Sequence, residues 1–103
     1  MSEHAVIVYF DNYGSTDLSR MHALEDALSD AIDKAGVGEF DGNEISSDGT
    51  DGTLYMYGPD ADKLMAVVKP LLEKTDFTRQ ARVVLRYGPP ADGVREVEVR
   101  LGT

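Results

Sequence analysis

Apolar residues recur along this chain with two different periods, and the order in which those periods alternate restricts the fold more than any other feature. A spacing of three and four lines up one face of a helix, and a spacing of two lines up one face of a strand. Residues 17–35 carry Leu18, Met21, Leu24, Leu28, Ala31, Ile32 and Ala35 at helical spacing. Residues 61–74 carry Leu64, Val67, Val68, Leu71 and Leu72 in the same way. Ser15, Thr16 or Asp17 can cap the first helix and Gly36 can end it, while Asp60 can cap the second. Pro70 lies inside the second helix and predicts a kink or restart near Lys69, because proline has no N–H for the carbonyl four residues back.

Five other segments read as strands. Residues 5–10 (AVIVYF) are apolar at every position, which suits a strand in mid-sheet. Residues 53–57 (TLYMY), 81–87 (ARVVLRY) and 95–101 (REVEVRL) are rich in β-branched and aromatic residues, the last two alternating. Residues 39–46 (EFDGNEIS) read as a polar edge strand bulged at Gly42, a device that discourages pairing with other chains. The turns DNYGST, SDGTDG and GPPADG separate these elements. The resulting order is β-α-β-β-α-β-β. Its first six elements match the split βαβ, or ferredoxin-like, arrangement. Right-handed crossovers place the first and third strands in the middle of the sheet. The expectation is a single α+β domain spanning all 103 residues, with an antiparallel-rich sheet, two helices on one face, and the fifth strand beside the fourth.

The net charge of −9 is unevenly spread. Before residue 63 the only cationic side chains among Lys and Arg are Arg20 and Lys34, against most of the carboxylates. From residue 63 onward, eight Lys and Arg face Glu73, Asp76, Asp92, Glu96 and Glu98. Phosphate backbones and anionic lipid surfaces attract cations, so this balance predicts neither a nucleic-acid nor a membrane partner. The absence of cysteine removes disulfides and thiolate metal sites. The opening Met-Ser-Glu-His lacks the basic and apolar regions of a signal peptide, which predicts a cytoplasmic protein.

Three motifs, GEFDGNE at residues 38–44, YGPDADKL at 57–64 followed by Pro70 and Leu71, and RVVLRYGPP at 82–90, resemble those of a group of small uncharacterised bacterial proteins. The resemblance covers about the last two-thirds of the chain. It implies the ferredoxin-like fold type. It implies no catalytic residue, since that group has no established activity.

Catalytic constellations are sparse. A phosphate-binding loop needs glycines and a cation between a strand and a helix, and the first junction offers only Gly14. Acylphosphatase-like enzymes share the fold type but need an arginine there, and none precedes Arg20. His4 lies near the chain start, where fraying is expected, and His22 lies on a helix flank. Ser15, Ser19, Ser46 and Ser47 have no elbow motif that would activate them. No cofactor is expected.

Two surfaces remain. The turns at one end of the predicted sheet gather Asp11, Asn12, Asp48, Asp51 and Asp76, a candidate cation or ligand site built from oxygen ligands. In the polar strand, Glu39, Asp41, Asn43 and Glu44 could recognise a ligand, but read more simply as edge protection. The second surface is the sheet face away from the helices. If Val6, Val8, Phe10, Leu54 and Met56 point at the helices, then Ile7, Tyr9, Tyr55 and Tyr57 point the other way. Arg82, Val84 and Arg86 join them, with Glu96, Glu98 and Arg100 placed to pair across the last hairpin. Tyrosine and arginine are favoured at binding surfaces. The expected function is a non-catalytic acidic interaction domain that uses this open face for a homodimer or a protein partner, as an immunity or antitoxin-like protein does with a basic target. The alternative is a small enzyme, or a ligand- or cation-sensing domain, with its site at the loop end.

Overall fold

The period-two and period-3.6 segments condense into one antiparallel sheet covered on one side by helices. The protein is described by a computed structural model for residues 3–11, 13–14, 17–47, 49–90 and 93–102. Its elements are β1 (His4–Phe10), α1 (Ser19–Ala35), β2 (Glu39–Ile45), β3 (Gly52–Gly58), α2 (Ala61–Lys74), β4 (Arg82–Arg86) and β5 (Glu96–Arg100). The strand order is β2-β3-β1-β4-β5, and every neighbouring pair is antiparallel. This is the ferredoxin-like α+β arrangement with β5 added beside β4.

The core lies between sheet and helices. Val6, Val8 and Phe10 of β1, Leu54 and Met56 of β3, and Val83 and Leu85 of β4 are buried from one side. Met21, Leu24, Leu28 and Ile32 of α1 and Leu64, Met65, Val68 and Leu72 of α2 meet them. The two-residue and three-to-four-residue periods thus point at one another, and apolar burial of that kind drives folding.

Several boundaries differ from the sequence expectation. α1 begins at Ser19, and its N-cap position falls on Leu18, which has no side chain to cap with. The Asp17 carboxylate still accepts the Ser19 N–H at 3.0 Å, and this bond holds the Asp17 pKa below the usual carboxylate value. Ser15 and Thr16 lie outside the described residues. α2 runs without a restart through Pro70. The missing bond is outweighed because Val68 and Leu72 on either side are anchored in the core. Asp60 caps α2 as expected, accepting the N–H groups of Asp62 and Lys63 at 3.0 and 3.2 Å. His4 is not frayed. Its Nδ1 accepts the Ala61 N–H at 3.0 Å, and its ring meets Tyr87 edge-on at 5.7 Å. The β2 bulge is present, with the β2–β3 register shifting between Phe40 and Gly42.

The loop end of the sheet is plugged by aromatic rings. Tyr13 and Phe77 are buried, stack edge-to-face at 4.8 Å, and close over Phe10. Arg20 reaches down from α1, donating to the Tyr13 carbonyl at 2.8 Å with its guanidinium 4.6 Å from the Tyr13 ring. The Tyr13 hydroxyl donates to the Asp17 carbonyl.

Candidate functional site

Alternation along each strand fixes what the far side of the sheet presents, and the register lines it up in three rows. One row runs Glu39, Tyr57, Ala5, Arg86, Glu96 from β2 to β5. The next runs Gly42, Tyr55, Ile7, Val84, Glu98. The third runs Glu44, Thr53, Tyr9, Arg82, Arg100. Ile7, Tyr9, Tyr55, Tyr57, Arg82 and Val84 are all partly exposed, as their alternation requires. The middle row is apolar in its three central positions, and charged residues border the face along β2 and β5.

The rings are held by charges of their own chain. Arg82 stacks over Tyr9 at 4.3 Å and donates to Glu98 at 3.2 Å. The Tyr55 hydroxyl donates to the Glu44 carboxylate. That bond, with burial second, pushes the Tyr55 pKa up to about 12. The protonated phenol is the bonded form, so its contribution to stability is complete below the ordinary tyrosine pKa of about 10 and is lost as pH rises towards 12. An alkaline ultraviolet titration is therefore expected to show late phenol ionisation from Tyr55 and from Tyr87, whose hydroxyl donates to Asp62 at 2.6 Å, and to lose the Tyr55 share of that late step in Tyr55→Phe. If that variant leaves the late step unchanged, the Tyr55–Glu44 bond is not its cause.

Arg86 departs from the expectation that it lies open on the rim. It is only 8% exposed. Its Nε donates to the Gly88 carbonyl at 2.7 Å, and its guanidinium lies 5.9 Å from the Tyr57 ring. Ala5, between Tyr57 and Arg86 in the register, is fully buried and small enough to let them close over it. The Arg86 Nη2 is buried without a hydrogen-bond partner among the described residues. Strand alternation predicts which face a residue takes, but not that a neighbouring turn carbonyl will draw it down.

A cleft lies at each end of this face. The larger, about 500 Å³, is lined by Tyr9, Glu44, Thr53, Arg82 and Arg100 from the third row and by Asp11, Ser46, Asp51, Phe77 and Gln80 from the loop end. The smaller, about 320 Å³, lies among Glu3, Glu39, Asp41, Tyr57, Arg86 and Pro90. The two surfaces expected from sequence are therefore contiguous, the larger cleft continuing the third row over the sheet end.

Three of the five loop-end residues are described, and they divide. Asp11 and Asp51 line the cleft, but Asp76 does not; it pairs with Arg79 at 3.1 Å on an exposed turn. Asn12 and Asp48 lie outside the described residues. Among the described residues no group of three or more His, Asp or Glu is arranged to hold a metal ion. The polar strand also divides: Glu44 serves Tyr55 on the open face, while Asn43 donates to Glu25 of α1 on the other side. Ser46 is the cleft's hydroxyl nearest in kind to a nucleophile, yet His4 caps α2 and His22 is exposed on α1, so neither lines that cleft. Sequence reading missed Phe77 and Tyr13 as structural parts of the loop end, because single aromatics among turn residues carry no period.

Comparison with protein-family models, curated proteins and solved structures finds no match to this chain. Among the described residues no helix is long and apolar enough to cross a membrane.

Proposed function

We propose that this is a non-catalytic, acidic protein-interaction domain whose open sheet face receives a protein partner. The observation that carries this reading is the row Tyr55–Ile7–Val84 with Tyr9 and Tyr57 beside it, partly exposed on the side of the sheet opposite both helices. Rigid aromatics bury large areas at low entropic cost and tend to dominate interface energetics. The carboxylates of Glu39, Asp41 and Glu44 along β2 favour a partner with basic groups at that border, as in an immunity or antitoxin-like complex. The net charge of −9 supports a role without nucleic acid. Kinship with the small bacterial proteins that share the YGPDADKL and RVVLRYGPP motifs belongs to this proposal.

The test is affinity capture from the native host on immobilised wild type, Tyr55→Glu, Tyr9→Glu and Asp51→Lys. A protein held by wild type and Asp51→Lys, and weakened by about 30-fold or more by the tyrosine variants, is the expected result. Retention by both tyrosine variants contradicts it.

The larger cleft favours a second reading, a small polar ligand bound among Asp11, Asp51, Arg82 and Arg100. A ligand that raises the melting temperature of wild type but not of Asp51→Lys supports it, because binding to the folded state alone must stabilise that state.

A further inference from the structure

The two edges of the sheet are built differently. β2 is bulged, its charged residues Glu39, Asp41 and Glu44 are all acidic, and Asn43 ties it to α1. Two copies of β2 would bring like charges together. β5 is regular over its whole length, and among the described residues β4 is the only element it packs against. Neither helix roofs it, so Val97 and Val99 on the helix side remain partly exposed.

Its backbone phase is fixed by two bonds, Tyr87 N–H to the Arg95 carbonyl at 2.9 Å and Leu101 N–H to the Ala81 carbonyl at 3.0 Å. In an antiparallel ladder such bonded pairs alternate along the strand. The odd-numbered residues of β5 therefore bond β4, and the N–H and C=O groups of Glu96, Glu98 and Arg100 point away from it.

We propose that β5 pairs antiparallel with β5 of a second copy of this chain, about a two-fold axis through Glu98, giving a continuous ten-stranded sheet. The sequence Glu-Val-Glu-Val-Arg is complementary to its own reverse in this register. Glu96 lies opposite Arg100 of the second copy, twice by symmetry, and Val97 lies opposite Val99. Opposite charges and β-branched pairs across strands are the stabilising combinations. Glu98 meets its own copy at the axis, but each is already neutralised by Arg82 at 3.2 Å. A guanidinium has five donors, so Arg100 can serve the facing carboxylate alongside contacts within its own chain. A register centred on Val97 sets Glu96 against Glu98. One centred on Val99 sets Glu96 against Gly102, where positive φ (76°) turns the chain away. Only the Glu98 register pairs all five residues. Both open faces then lie on the same side of the joined sheet. This pairing does not rest on the open face being a binding site.

The test uses charge reversal in the full chain. Glu96→Arg and Arg100→Glu should each weaken self-association by about tenfold or more, since each converts two attractions into repulsions. Mixed in equal amounts, the two variants should associate again, because the two cationic positions of one then face the two anionic positions of the other. Circular dichroism confirms that each variant is folded. The chain has no native cysteine, so Glu98→Cys gives a second, independent readout. Facing Cα atoms in a bonded antiparallel pair are about 5.5 Å apart, within disulfide reach, and mild oxidation should yield covalent dimer. Wild type that stays monomeric in light scattering at millimolar concentration overturns the proposal. So does a folded mixture that stays monomeric, or oxidation that links Tyr55→Cys or Val99→Cys in preference to Glu98→Cys.

Discussion

Gly38→Ala is expected to lower the melting temperature by about 15 °C or more, a loss of about 3–5 kcal/mol. Gly38 has φ +150°, which side-chain-bearing residues rarely adopt, and a Cβ there would come within 2.0 Å of the Tyr57 carbonyl oxygen. The obstacle is backbone, so no rotamer change relieves it. Gly58 faces it on the neighbouring strand, where an added Cβ would meet the Val37 carbonyl at 2.2 Å. The two glycines let the chain leaving α1 press against the end of β3 before β2 begins pairing. Gly93 is the control: its φ is +81° but nothing lies within 4 Å, so Gly93→Asn should cost under about 1 kcal/mol. Equal melting of Gly38→Ala and wild type would mean that β2 enters the sheet by another path.

Leu28→Ala is expected to cost about 3–4 kcal/mol, measured by urea unfolding with an unchanged m-value. Leu28 is fully buried midway along α1, in the stripe with Met21, Leu24 and Ile32 that faces the sheet. Truncation loses the transfer free energy of its methyl groups and leaves a cavity that rigid neighbours cannot fill. Against a total of about 5–15 kcal/mol for a domain of this size, the variant is marginal. A loss below about 1 kcal/mol would show that α1 can slide to close the gap.

How much of this was legible in sequence depends on the range of the interaction. The element order, the buried and open faces of β1 and β3, the bulge at Gly42 and the Asp60 cap follow from spacing and local hydrogen bonding, and the structure bears them out. The failures are contacts between distant residues. His4 caps a helix that starts fifty-seven residues later, which no local pattern announces. Gly58 precedes a proline in sequence, yet its nearest constraint is the carbonyl of Val37, twenty-one residues away. Tyr13 and Phe77 sit in segments of turn residues, yet both are core. On the candidate site, alternation placed Tyr9, Tyr55, Tyr57 and Arg82 on one face. It could not foresee that Arg86 would be buried, or that Asp76 would pair with Arg79 away from the cleft that Asp11 and Asp51 line.

The rows on the open face also explain why its tyrosines can stay partly exposed. Arg82 over Tyr9 and Glu44 on Tyr55 fix those two rings in place, so little entropy remains to be lost when a partner covers them. A chemical-shift map of the isotope-labelled protein with its captured partner distinguishes the open face from the loop end. The resonances expected to shift are those of Ile7, Tyr9, Tyr55, Tyr57 and Val84. Perturbations confined to Asp11, Asp51 and Gln80, with the face unchanged, would contradict it.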